Sequence, residues 1–183
     1  AAGELSPDDF VYTVDADGQH ELAVLEDLRQ QMYDEGLDAL LVQRDLSTYP
    51  RYKQAGNWVM STWATIWSGG VELNDVESGY RIFRLGALAD ALDYYQGYKY
   101  SETVEVAVVL SRLGYKVRND IVVPVPVFRS RTSMTDVVID LVAMPAAAFR
   151  VTMRRPKDVS VPSLVPPVLT SAAIGAAAIA PLA

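Results

Sequence analysis

Residues 10–20 read FVYTVDADGQH. The first five are aromatic or β-branched, the composition of a strand that packs against a core. They run straight into Asp15-Ala16-Asp17-Gly18 with no spacer. In open α/β sheets ligands bind at the carboxyl ends of strands. Two carboxylates one residue apart at such an end can face a single hard cation, and Mg2+ or Mn2+ suits their oxygens. Gln19 can add a neutral oxygen, and Gly18 lets the backbone turn tightly. Asp and Gly are also ordinary turn residues, so the spacing by itself leaves a plain turn open. A calcium loop with Asp15, Asp17 and Glu26 at its first, third and twelfth positions fails on two counts. Its sixth position is His20 where glycine is required, and a strand precedes it where a helix should.

Outward from that turn, residues 21–35 carry Leu22, Leu25, Leu28 and Met32 at helical spacing, and Gly36 ends the run. Residues 38–43 (DALLVQ) read as a second strand. Strand, helix, strand predicts an α/β fold with a mostly parallel sheet flanked by helices. A polar loop with Arg44, Arg51 and Lys53 follows, then a helix over 55–68 carrying Trp58, Trp63 and Trp67, stopped by Gly69-Gly70. Residues 80–84 predict a short strand or turn and 87–95 a short helix. Ser101 is the expected N-cap of a helix over 102–113 that Gly114 closes. Residues 115–128 are β-rich but broken by Pro124 and Pro126. Ser133-Met-Thr-Asp136 has the form of a capping box opening an amphipathic helix to about Arg150.

Composition bounds the function. The chain has 183 residues, half of them hydrophobic and 21% charged, enough for one cored domain. A net charge of −7 argues against nucleic acid as a partner. With no cysteine and one histidine, His20, disulfide scaffolds, thiolate sites and multi-histidine zinc cages are excluded. The first nine residues have no signal-peptide pattern. After Asp158 no charged residue follows, and residues 160–183 are apolar, proline-broken and alanine-rich. That tail is about the length of a membrane span, roughly 20 residues, with Arg154, Arg155 and Lys157 before it on the side expected to face the cytoplasm. A span, a surface-packed tail and a disordered end all fit it.

Several stretches together resemble the family-two glycosyltransferases, in the branch that glycosylates a polyprenyl (dolichyl-type) phosphate. VDADGQH at 14–20 resembles the family's metal-binding strand end, and Arg44 follows the next strand as in its strand-then-arginine element. KQAGNW at 53–58 resembles a helix start of the form K-x-x-x-N. DVESGYR at 75–81 resembles D-x-x-S-G-[FY]-R. Glu105 precedes Gly114 by nine residues, and FRSRTS at 128–133 resembles a basic, serine-bearing loop. These elements keep the family's order over residues 10–155. Two departures are Glu21-Leu22 in place of the usual proline, and Thr132 in place of a glycine.

The resemblance implies a partial GT-A-like domain over 1–155, with the base-binding strands expected upstream missing, and a separate apolar tail over 156–183. It implies inverting transfer from a nucleotide-sugar donor to a polyprenyl phosphate at the cytoplasmic face of a membrane. Asp15, Asp17 and Gln19 would hold Mg2+ or Mn2+, and Asp75 would stand at the reaction centre. Arg44, Arg81 and Arg131 would contact donor or acceptor phosphates, with Ser78, Glu105 and Ser133 in support. Each has a plainer reading: Asp75 bracing a turn, Arg81 pairing with it, Arg44 a solvated charge, Glu105 a buried structural ion pair, Ser133 a helix cap, His20 a surface residue, and the tryptophans core or surface anchors. Two rivals stand beside the first reading: a family-two transferase with a saccharide or cell-wall polymer acceptor, and a non-catalytic remnant binding only a partner or membrane.

Overall fold

A computed structural model describes residues 5–15, 22–97, 101–124 and 134–154. The opening strand β1 spans Phe10–Thr13. A single 3-10 turn, Leu22–Val24, leads into helix α1, Leu25–Asp34, and Gly36 ends the segment in the left-handed region at φ 61°. Strand β2, Ala39–Leu41, is short and fully buried. The chain then shifts at Val42 into β3, Gln43–Arg44.

Helix α2 spans Arg51–Ser68, starting four residues earlier than the polar composition of that loop predicts. Pro50 is the N-cap residue, and its carbonyl accepts from the Lys53 N–H at 2.9 Å and the Gln54 N–H at 3.2 Å. Gly69 and Gly70, at φ 88° and 102°, stop the helix as predicted. Strand β4 is Arg81–Arg84, followed by α3, Leu85–Leu92, and α4, Glu102–Leu113. Ser101 does not cap α4 with its side chain; its hydroxyl donates instead to Glu105 Oε1 at 2.6 Å. The β-rich region reduces to two short strands, β5 (Val117–Arg118) and β6 (Val122–Val123). Helix α5 runs Met134–Arg154, with Pro145 inside it. Ser133 and the tail beyond Arg154 lie outside the described residues.

The fold is α/β, but its sheet is mixed where a mostly parallel one was expected. The main sheet has the order β1-β4-β2-β5, and β3 pairs with β6 in a second, two-stranded sheet. Strand β4 runs antiparallel to both neighbours, whereas β2–β5 and β3–β6 are parallel. The reason is the path of the chain. The crossover through α1 makes β1 and β2 run the same way, as the strand–helix–strand reading requires. The segment after α2 returns at the far ends of those strands, so a strand starting there must run back between them. Thr13 and Leu41 both pair with Arg81, the first residue of β4. The carboxyl ends of β1 and β2 and the entrance to β4 therefore meet at one sheet edge.

Alternation along the strands makes two cores. Ala39, Leu41 and Phe83 face α2, α3, α4 and α5, packing with Met60, Ala64, Val104, Val108 and Met144. Leu40, Val42 and Ile82 face α1, packing with Leu28 and Met32. Met32 is wholly buried, a burial worth about 1.5–3 kcal/mol.

Helix α5 departs from the amphipathic pattern. Ala143, Met144, Ala147, Ala148 and Val151 are buried, but Val138, Val142, Phe149 and Met153 are 55–67% exposed on the outer side. Helix α2 adds Tyr52, Trp58 and Val59, also exposed. Trp63 Nε1 donates to the Leu141 carbonyl at 2.8 Å and ties the two helices together. No helix among the described residues is long and apolar enough to cross a membrane.

Candidate functional site

The edge where β1, β2 and β4 meet carries the residues that the sequence singles out. Asp75 is buried, 3% exposed, in the loop leading to β4. Its carboxylate is clasped by Arg44: Nη2 donates to Oδ1 at 2.6 Å, and Nε donates to Oδ2 at 2.8 Å. The backbone N–H of Arg44 donates to Oδ2 at 2.7 Å as well. The Asp75 N–H donates to Ser61 Oγ of α2 at 2.9 Å. These bonds hold Asp75 at φ 49°, a left-handed conformation that aspartate tolerates better than most residues. Burial works against the Arg44 charge, but the Asp75 carboxylate outweighs it and holds the guanidinium pKa above its ordinary value. Arg44 keeps a 22% exposed side chain.

Arg81 is 2% exposed and fully engaged in the same loop. Its Nε donates to the Ser78 carbonyl at 2.7 Å, Nη2 to the Val76 carbonyl at 2.5 Å and Nη1 to the Thr103 carbonyl at 2.5 Å. Burial lowers its pKa to about 10. Its donors point into the protein and shape the loop that carries Asp75, away from the phosphate contact that the resemblance implies. Ser78 is buried too, its hydroxyl accepting from the Tyr80 N–H at 3.3 Å.

Asp15 leaves the end of β1 and lies against this loop. Thr13 Oγ1 donates to the Gly79 carbonyl at 2.9 Å. A Cβ at Gly79 would fall 2.2 Å from Asp15 Oδ1. Any side chain at 79 would therefore displace the exposed Asp15 carboxylate from this loop. Asp17, Gln19, His20, Arg131 and Ser133 lie outside the described residues. The donor set of Asp15, Asp17 and Gln19 is all hard oxygen and fits Mg2+ or Mn2+ in kind. Asp15 alone of the three has a described position, and among the described residues no group of three or more carboxylates or histidines gathers as a metal site.

Glu105 sits behind the site in a structural role. It is fully buried, and Arg150 of α5 donates Nη2 to its Oε2. Gln96 N–H donates to the same carboxylate at 3.3 Å. The buried ion pair is the plainer of its two readings, and it joins α4 to α5.

Two acids at this edge escape the sequence reading. Glu77 is half-buried two residues from Asp75, and burial raises its pKa while Arg44 opposes the rise. Asp140 of α5 is 5% exposed. Burial, then the charges of Glu77, Asp136, Glu102 and Glu105, push its carboxyl up to about 7. One sequence signal could have found it: Asp140 is the only charged residue between Val137 and Phe149. A charge inside an apolar run needs a partner or a task.

Asp140 gives a pH prediction. A carboxyl raised from its unfolded value of about 4 favours the folded state at low pH, and that benefit is lost as pH rises through about 7. Asp140→Asn should therefore stabilise the fold at pH 8, by about 2 kcal/mol, and change little at pH 4. Urea unfolding of both proteins at the two pH values measures this. An equal effect at both would show that the burial penalty is absent.

Comparison with protein-family models, with curated proteins and with solved structures gives no match for this chain.

Proposed function

We propose that the chain carries the acceptor-side part of a GT-A-like glycosyltransferase that moves a sugar from a nucleotide-sugar donor to a polyprenyl phosphate. The observation that carries the reading is one convergence. Asp15 after β1, Arg44 after β2 and the Asp75–Arg81 loop before β4 are far apart in sequence, yet they meet at one sheet edge.

In this reading the partly exposed face of Arg44 meets a phosphate oxygen, for which a guanidinium is well shaped. Asp75 fixes the aim of Arg44. Both Asp75 oxygens already accept N–H bonds, so this carboxylate serves better as a positioner than as a base. A phosphate nucleophile does not demand a base, because it is already ionised near neutral pH. A saccharide hydroxyl would demand one. Arg81 and Ser78 keep the loop in place, and Gly79 leaves room for Asp15. A divalent ion held by Asp15, Asp17 and Gln19 would neutralise charge on the departing nucleoside diphosphate. The outward apolar side chains of α2 and α5 suit work at a membrane surface, where a lipid-linked acceptor is found.

A screen of radiolabelled nucleotide sugars, with Mn2+ or Mg2+ and a polyprenyl phosphate, tests the reading. Label should pass into the organic phase in a metal-dependent way, and Asp15→Ala should cut the transfer about 100-fold. Label transferred only to water-soluble saccharides would move the acceptor to the second branch. No transfer from any donor would leave the chain as a binding module.

A further inference from the structure

Pro145 stands in the middle of α5. A proline there has no N–H, so the carbonyl four residues earlier loses its usual helical donor. That carbonyl belongs to Leu141, and Trp63 Nε1 of α2 donates to it at 2.8 Å. The indole thus takes the place of a backbone N–H, and a neighbouring helix completes the break that proline makes in α5. Without that bond the segment before Pro145 would have an open joint at its base.

The two sides of the joint are held differently. Beyond it, Ala147, Ala148, Arg150 and Val151 are buried, and Arg150 is bonded to the Tyr94 carbonyl, Gln96 and Glu105. Ala143 and Met144 are buried at the joint itself. From Thr135 to Val142 one residue is buried, and it is Asp140. Val137 and Leu141 are half-buried against the core. The core side of this segment therefore carries an acid where the other segment carries alanine, valine and an ion pair.

The charges that act on Asp140 are negative: Glu77 in the Asp75 loop, Asp136 on its own helix, and Glu102 and Glu105 on α4. Helix α2 also packs against α5, and its charged residues, Arg51 and Lys53, both lie in its first turn. Burial, reinforced by those four acids, pushes the Asp140 carboxyl up to about 7. Once ionised, this side chain gains by moving out to water.

We propose that residues 134–144 form a hinged flap, shut by the Trp63–Leu141 bond and released when Asp140 loses its proton. The inference does not rest on the transferase reading. Glu77 belongs to the loop that carries Asp75, so charge bound at that loop and the position of the flap bias each other.

Hydrogen exchange of the full chain, read by NMR and corrected for intrinsic rates at each pH, tests this. In the parent, protection of amides 138–144 should fall about tenfold between pH 6 and pH 8, while amides 147–154 keep theirs. Asp140→Asn should abolish that fall. Trp63→Phe should cut protection before Pro145 about tenfold, the weight of one hydrogen bond. Pro145→Ala supplies the missing N–H, so in that background Trp63→Phe should change little. Thermal melts establish that the variants are folded, and the pH series on the parent decides the hinge even where one of them is not. Equal loss of protection on both sides of Pro145, or no loss on either, overturns the hinge. A Trp63→Phe effect as large in Pro145→Ala as in the parent overturns the indole as the substitute donor. A fall with pH that survives Asp140→Asn overturns the trigger.

Discussion

Arg44→Ala should both loosen the fold and abolish transfer. Its side chain supplies two of the three hydrogen bonds that Arg44 gives Asp75. Removing it leaves a carboxylate at 3% exposure without its bonded counter-charge, in a left-handed backbone that its bonds had held. Breaking a buried pair on one side costs about 3–5 kcal/mol, and the partial exposure of Arg44 places this one near 3. Arg44→Lys keeps the charge but loses the two-pronged geometry, so it should recover less than half of the stability. In a transfer assay both variants should fall about 100-fold or more, because the phosphate-facing donor and its aim go together. Asp75→Asn keeps the shape of the loop and should lose activity with a smaller stability cost. If Arg44→Ala unfolds in urea within about 0.5 kcal/mol of the parent, the clasp is ornamental and the site must be placed elsewhere.

The second large effect lies behind the site. Arg150 donates to Glu105, to the Tyr94 carbonyl at 2.8 Å and to Gln96 Oε1 at 3.2 Å. It therefore fastens α5 to α4 and to the segment after α3. Arg150→Met removes the charge and leaves Glu105 buried with only Ser101 and the Gln96 N–H. We expect a loss of about 4 kcal/mol, measured by urea unfolding, with hydrogen exchange speeding up first in α5. The double change Glu105→Leu with Arg150→Met should recover at least half of that loss, because an apolar pair carries no desolvation penalty. No recovery would mean that the bonds from Arg150 to Tyr94 and Gln96 matter more than its charge.

Much of this site is legible in the sequence because its parts fall at punctuated places. Arg44, Asp75 and Glu105 each stand next to a strand end, a Ser-Gly turn or a helix start, where residue type and backbone position constrain one another. Gly69, Gly70 and Gly114 show the stops for the same reason. What stays hidden depends on the third dimension. Whether Arg81 faces a ligand or three carbonyls cannot follow from D-x-x-S-G-Y-R, because Thr103 lies 22 residues away. Glu77 passes for filler inside the same motif. Asn57 is visible only as the last letter of K-x-x-x-N, and nothing in that spacing says that its amide oxygen lacks a partner. The antiparallel β4 escapes as well, since strand direction depends on the path of the intervening chain and not on the residues of the strand. The outer face of α5 misleads in another way. Its apolar residues at 138, 142, 149 and 153 keep helical spacing, and that spacing ordinarily marks a buried stripe.

The placement of the indoles gives the protein a built-in optical probe. All three tryptophans belong to α2. Trp58 is 63% exposed, whereas Trp63 and Trp67 meet edge-on with ring centroids 5.6 Å apart, against the core. Red-shifted emission thus reports on water at the outer face of one helix, and blue-shifted emission on its hold over α5. Vesicles or a protein partner settling on that face will quench the first component and spare the second, so unlabelled fluorescence can separate surface capture from internal rearrangement.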